Sequence, residues 1–295
     1  MADNIILETK GLTKSYGPVR ALDSFTIRLE ENKIYGLLGR NGAGKTTLLN
    51  IITSHIFADS GEVRLYGRDV TENQEILPKI CYMPEKNFFI KHQRVSDAIK
   101  TAGAFYDSFD ADYAARLCDR FMLGGRKKYK ELSRGYESIL RIVIGLASRA
   151  PLTIFDEPVL GLDAAVRDIF YRELLDDYGR NPRTYIISTH LVEETADVFE
   201  EAIIIKEGVL AQNLPVDRLK DAARYVSGKA GIVDEAVAGM KVLHCEVVGN
   251  IKICAVYDTS MPERLKGLSA FDVDISPVPI QKLFIYLTEG QEERA

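Results

Sequence analysis

The segment Gly39-Arg40-Asn41-Gly42-Ala43-Gly44-Lys45-Thr46 fits the pattern G-x-x-x-x-G-K-[ST] at every position. Glycines there let backbone N–H groups turn inward and cradle phosphate oxygens, since a Cβ would block the approach. A helix starting at Lys45 adds a partial positive charge at its N-terminus. Lys45 can reach the β- and γ-phosphates of a nucleotide, the Thr46 hydroxyl can ligate Mg²⁺, and Thr47 completes the binding run. The loop alone does not say which phosphate-handling enzyme carries it. A second constellation, Thr153-Ile154-Phe155-Asp156-Glu157-Pro158, is an apolar strand ending on two adjacent carboxylates. Such a pair repels itself unless a cation or a proton relieves it. Asp156 would hold Mg²⁺ through its water shell, and Glu157 would polarise an attacking water, a role worth about 10²–10⁴-fold in rate.

Both constellations need a sheet to present them. Ile34-Tyr35-Gly36-Leu37-Leu38 is a continuous apolar run, expected of a strand buried on both faces, and a helix from Lys45 to about Thr53 follows the glycine loop. Thr153-Ile154-Phe155 and Tyr185-Ile186-Ile187-Ser188 read as short strands with the helix Ala164–Tyr178 between them. That βαβ alternation predicts a mostly parallel sheet with helices on both faces. Upstream, Ile5-Ile6-Leu7-Glu8-Thr9 is strand-like and Phe25-Thr26-Ile27-Arg28-Leu29 alternates as a half-buried antiparallel strand would. From about Glu85 to Arg149 the pattern is helical, with Ser96 and Ser108-Phe109-Asp110 as caps. Ala202–Ile205 and Val209-Leu210 form a hairpin turning at Glu207-Gly208, which closes the large domain. Beyond Pro215 come two strands, Val242–Val247 and Ile251–Tyr257, and a last helix, Ile280–Leu287. The expected organisation is an α/β domain over 1–220 and a small α+β domain over 221–295.

Hydrophobic residues make up 46% of the 295, enough to bury a sizeable core. A net charge of −5 argues against retention on nucleic acid by bulk charge. Cys81, Cys118, Cys245 and Cys254 share no metal-ligand spacing and read as small buried hydrophobes in a reducing cytosol. No apolar run reaches the roughly 18–20 residues that cross a bilayer. The start, Met1-Ala2-Asp3-Asn4, lacks the order of a signal peptide. The expectation is a soluble, cytoplasmic chain that meets any membrane through a partner.

With these residues in place, the stretch 5–215 resembles the ATP-binding-cassette (ABC) ATPases. Leu132-Ser133-Arg134-Gly135-Tyr136 stands where that family carries its LSGGQ signature, before a helix and ahead of Asp156-Glu157. In the family the signature caps the γ-phosphate bound to a second subunit, so Ser133 and Gly135 would serve a partner's ATP. Arg134 replaces a glycine and Tyr136 a glutamine; Arg134 either adds charge near that phosphate or points to solvent. Tyr16, in Lys14-Ser15-Tyr16-Gly17, matches the aromatic that stacks on adenine. His190, ending Ile187-Ser188-Thr189-His190, matches the switch histidine that contacts the γ-phosphate. Gly161-Leu162-Asp163 matches the D-loop that crosses the dimer interface, and Glu85, in Tyr82-Met83-Pro84-Glu85, replaces the loop glutamine that offers an oxygen to Mg²⁺.

The resemblance implies a P-loop ABC ATPase fold: a mixed sheet core, an antiparallel β subdomain and a helical subdomain at about 86–150. It implies ATP and Mg²⁺ as cofactors, with Glu157, His190 and Lys45 as the catalytic set. The glutamate at 85 and Phe105-Tyr106-Asp107-Ser108-Phe109-Asp110 are similar to bacterial ATPases that pair with separate exporter permeases. One loop and one signature imply a head-to-tail pair with an identical chain or a related ATPase. That pair would drive a multi-span permease at the inner face of the cell membrane. The permease would dock beside Glu85–Arg94, where Phe88-Phe89-Ile90 either floors the groove or packs inward. The competing classes are a soluble ABC ATPase of translation or DNA, and a catalytically idle regulatory module.

Overall fold

A computed structural model of the chain describes residues 4–85, 89–268 and 271–289. Its residues fall into two compact units, Met1–His190 with Ile205–Leu210, and Leu191–Ile204 with Ala211–Ala295. Phe88 lies outside the described residues.

In the first unit, four parallel strands stand in the order Ile34–Leu38, Thr184–Thr189, Leu152–Asp156, Ile80–Met83. Every residue of these strands is buried, which is why each reads as an unbroken apolar or small-polar run rather than an alternation. Parallel pairing brings their C-terminal ends to one edge: Leu38 faces Thr189 and Asp156 faces Ser188. Ligands of open α/β sheets bind outside such an edge.

A separate antiparallel sheet has the order Val19–Glu30, Ile5–Tyr16, Ser60–Leu65, Arg68–Asp69. Its first two strands run 12 residues each, well past the apolar cores Ile5–Thr9 and Phe25–Leu29. The extra length mixes polar residues with the fully buried Leu12 and Leu22, and register shifts between Thr9 and Leu12 interrupt the alternation. The helical stretch holds Val95–Phe105, Ala111–Arg120 and Arg134–Ala147. Asp110 caps the second of these by accepting from the Tyr113 amide at 2.8 Å, as expected. Ser96 is not a cap. Arg94 occupies the N-cap position, and the Ser96 amide is spent on the Gly125 carbonyl at 3.0 Å.

The second unit contains the order strand Ala223–Lys229, helix Ala230–Ala236, strands Lys241–Val248 and Ile251–Tyr257, helix Met261–Leu268, strand Asp274–Pro277. All pairings are antiparallel and the spatial order is second, third, first, fourth, the split βαβ arrangement of ferredoxin-like folds. The two helices close a core of Val226, Val233, Cys254, Val256, Met261 and Leu268. The helix Ile280–Thr288 supplies Tyr286, which stacks on His244 at 4.8 Å and meets the Tyr225 hydroxyl at 3.2 Å.

The expectation of four lone thiols needs correction. Cys245 and Cys254 form a disulfide, because strand register sets them directly opposite each other. Cys81 is free and buried, as read, while Cys118 is free and partly exposed.

Candidate nucleotide site

The glycine loop bridges the end of Ile34–Leu38 and the helix Lys45–Ile52. Gly44 sits at φ 108°, and a Cβ there would lie 2.4 Å from the Ala21 carbonyl, so no other residue fits. A Cβ on Gly39 would meet the Ile205 side chain at 2.7 Å. Ala43 is buried and its amide donates to the Arg40 carbonyl at 3.0 Å, which keeps the loop folded back on itself. Lys45, 8% exposed, donates from Nζ to the Gly39 carbonyl at 2.6 Å and the Arg40 carbonyl at 3.3 Å. Burial lowers its pKa, while Glu157, Asp156 and Glu85 act to raise it.

Asp156 ends its strand at 1% exposure, and its Oδ2 accepts from the Thr46 hydroxyl at 3.1 Å. Burial pushes the carboxyl above the usual aspartate range, against the pull of Thr46 and Lys45. Glu157 adopts φ 49°, rare for a non-glycine residue, and its amide donates to the Ser188 carbonyl at 2.9 Å. Its Oε2 lies 2.9 Å from Nδ1 of His190. Burial raises the Glu157 pKa too, opposed by His190 and Lys45.

Arg40, Asn41, Gly42, Gly44, Lys45, Thr46, Thr47, Glu85, Asp156 and Glu157 thus line one cleft of about 280 Å³. Ala21 also lines it, and no motif around it flagged the position. Among the described residues no three His, Cys, Asp or Glu side chains gather as a metal cluster. The hydroxyl of Thr46 beside the carboxylate of Asp156 is an all-oxygen donor set, the kind that suits Mg²⁺ shared with phosphates and water.

Other expected residues lie outside this cleft. Tyr16 is 51% exposed, with Lys14 Nζ 5.8 Å above its ring. Asp59 fixes that segment by accepting from Lys14 Nζ at 2.9 Å and the Ser15 amide at 2.7 Å. Ser133 caps the helix Arg134–Ala147, with Tyr136 N 3.4 Å from its hydroxyl, and Asp163 caps Ala164–Arg180 through Val166 N at 2.9 Å. Arg134 is solvent-exposed. A Cβ on Gly135 would lie 2.8 Å from the Gly161 carbonyl, so the signature and the turn at 161–163 are nested together.

The family model described as "ABC transporter" matches residues 22–160. ABC transporter ATP-binding protein YtrB of Bacillus subtilis is 31% identical over 216 residues, covering 73% of this chain and 74% of that one. The chain belongs to the ABC transporter ATP-binding family. Bacitracin transport ATP-binding protein BcrA of Bacillus licheniformis is 29% identical over 80% of this chain and 78% of its own. Daunorubicin resistance ATP-binding protein DrrA3 of Streptomyces coeruleorubidus is 26% identical over 100% and 98%. Among solved structures, an ATP-binding subunit of an ABC transporter covers 73% of this chain at TM-score 0.66 and 23% identity. This ABC subunit therefore has the cassette ATPase fold, binds ATP and couples its hydrolysis to transport.

Proposed function

We propose that this ABC subunit is the motor of a bacterial exporter, working as a head-to-tail pair on a separate multi-span permease. One observation carries the reading: Lys45, Thr46, Asp156 and Glu157 converge in one cleft with His190 hydrogen-bonded at its edge. In that cleft the loop amides and Lys45 hold the β- and γ-phosphates, and Tyr16, outside it, stacks on the adenine. Thr46 and Asp156, with Glu85 at the rim, would hold Mg²⁺, which supplies charge neutralisation at the phosphates. Glu157 accepts a proton from water as its oxygen bonds to the γ-phosphorus and the bond to the ADP oxygen breaks. His190 fixes that carboxylate and contacts the γ-phosphate.

Ser133, Gly135 and Asp163 stand outside their own chain's cleft, which supports a role on the ATP of a second chain, identical or related. The permease segment docks in an apolar groove of about 430 Å³ lined by Met83, Phe89, Ile90, Ala102, Phe105 and Ile144. Phe89 packs against Tyr129 at 5.3 Å, whereas Ile90 and Phe105 are 68% and 72% exposed. Phe89 is thus the floor and the other two are contact residues. Among the described residues no helix is long and apolar enough to cross a membrane, so the permease would hold the subunit at the inner face. The relatives named for bacitracin transport and daunorubicin resistance support export as the direction.

The test is a pulldown of tagged Glu157→Gln with ATP from gently solubilised membranes of its host. Recovery of a multi-span protein is the expected result. Recovery of ribosomal or chromosomal proteins alone would overturn the exporter reading and leave the ATPase intact.

A further inference from the structure

Arg141 is the one arginine in the helix Arg134–Ala147 that turns inward, at 5% exposure; Arg134 stays in solvent. Burying a guanidinium is costly unless its donors are met. Here Nη1 donates to the Pro84 carbonyl at 2.7 Å and Nη2 to the Ser138 hydroxyl at 2.8 Å. Ser138, itself fully buried, passes its own proton to the Leu160 carbonyl at 2.7 Å. The Leu160 amide in turn donates to the Glu157 carbonyl at 3.3 Å. A hydroxyl is required at 138 because it accepts and donates at once, and an alanine does neither.

These bonds join three pieces of chain distant in sequence. Pro84 immediately precedes Glu85, on the rim of the cleft. Ser138 and Arg141 lie one helical turn apart on the signature helix. Leu160 belongs to the turn that leads from Glu157 to Asp163. The guanidinium is planar and forked, so it sets the direction of both bonds and not merely their presence. Burial lowers the Arg141 pKa, and the charges of Glu137, Glu85 and Asp156 act against that lowering.

We propose that Arg141, acting through Ser138, is a positioning residue for Glu157: it locks the turn after Glu157 to the loop that carries Glu85. The proposal rests on the reading of Glu157 as the base. A carboxylate held at φ 49° has no local preference for that conformation, so neighbouring bonds must hold it. Movement of the Glu85 loop then reaches the turn after Glu157 through the side chains of Arg141 and Ser138.

The experiment is steady-state ATP hydrolysis by the full chain carrying Ser138→Ala, Arg141→Met, both together, Arg141→Lys, or Glu157→Gln. Rates are expressed per ATP-binding site titrated, which removes any unfolded fraction. Each single change is expected to lower kcat about tenfold with KM for ATP held within about twofold, since misplacement of a catalytic group costs rate. The double variant should lose no more than the worse single, the sign of residues acting as a unit. Arg141→Lys should recover part of the rate, because an ammonium reaches one acceptor but does not fork to two. A wild-type kcat per site in both single variants, or losses that multiply in the double, would overturn the relay while Glu157→Gln stays inactive. Full activity in Glu157→Gln would overturn the base reading, and the relay with it.

Discussion

Oε2 of Glu157 and Nδ1 of His190 lie 2.9 Å apart, joining the end of one parallel strand to the end of its neighbour. An ionised carboxylate only accepts, so Nδ1 carries the proton in that state and Nε2 is left to face outward. Glu157 is buried and His190 is half-exposed, which places the acid inside and the histidine at the mouth.

This pair has a signature in pH. Burial raises the Glu157 pKa and the bond to His190 lowers it. A base works only when ionised, so kcat/KM should fall on the acid side, with a midpoint above the ordinary glutamate range. His190→Gln removes the lowering contribution of the imidazole. The acid limb should then move to higher pH, along with a drop in rate; a limb that moves to lower pH or stays in place contradicts the assignment.

Lys45 bonds to two backbone carbonyls and feels the carboxylates of Glu157, Asp156 and Glu85, and nothing else in the loop carries a buried cation. Lys45→Met keeps the apolar stem and removes the charge. Hydrolysis should drop at least about 100-fold, the scale seen when a preorganised donor is taken from developing charge. The checks are phosphate release and ATP-binding titration on the same sample.

The groove can be tested without touching the nucleotide cleft. Ile90 and Phe105 are mostly exposed, so Ile90→Asp and Phe105→Asp should change folding stability by no more than about 0.5 kcal/mol. ATP binding should be unaffected and co-purification of the permease lost. Full recovery of permease by the double variant would place the docking surface elsewhere.

Asp177 holds a different kind of site. Its carboxylate is 3% exposed and pairs with both Arg149 and Arg183, the latter at 2.8 Å, while the Tyr185 hydroxyl donates to it at 3.1 Å. Asp177→Ala leaves Arg149 with Asp110 as its remaining carboxylate partner and Arg183 with the Leu146 carbonyl. Stability to urea should fall by about 3–5 kcal/mol, the usual cost of removing one partner of a buried pair.

How much of this was legible beforehand depended on how local the cause was. The glycine loop, Asp156-Glu157 and the cap Asp110 declare themselves because chemistry and spacing lie within one short run. The tail helix and the hairpin at Gly249-Asn250 likewise follow their own periodicity and turn residues. Ser96 misled because its amide answers to Gly125, a partner no window around it contains. The Cys245–Cys254 link depends on strand register, which spacing alone does not set. Ala21 and Arg141 carried no motif: one matters for its carbonyl, the other for a burial visible only once a helix and two loops converge.

The interleaving of the two compact units has a practical corollary for anyone cutting the gene. The second unit begins at Leu191, yields the chain back at Ile205, and resumes at Ala211. Within it Val192, Ala196, Val198 and Phe199 are buried, Asp197 pairs with Lys220 at 2.9 Å, and the Glu200 carbonyl accepts from Val216 at 3.0 Å. The helix Val192–Thr195 also packs against the final helix Ile280–Thr288, so a stop codon near 220 would strip that cover from the apolar stub 191–204. Removing the second unit whole would need two excisions, one on each side of Ile205–Leu210.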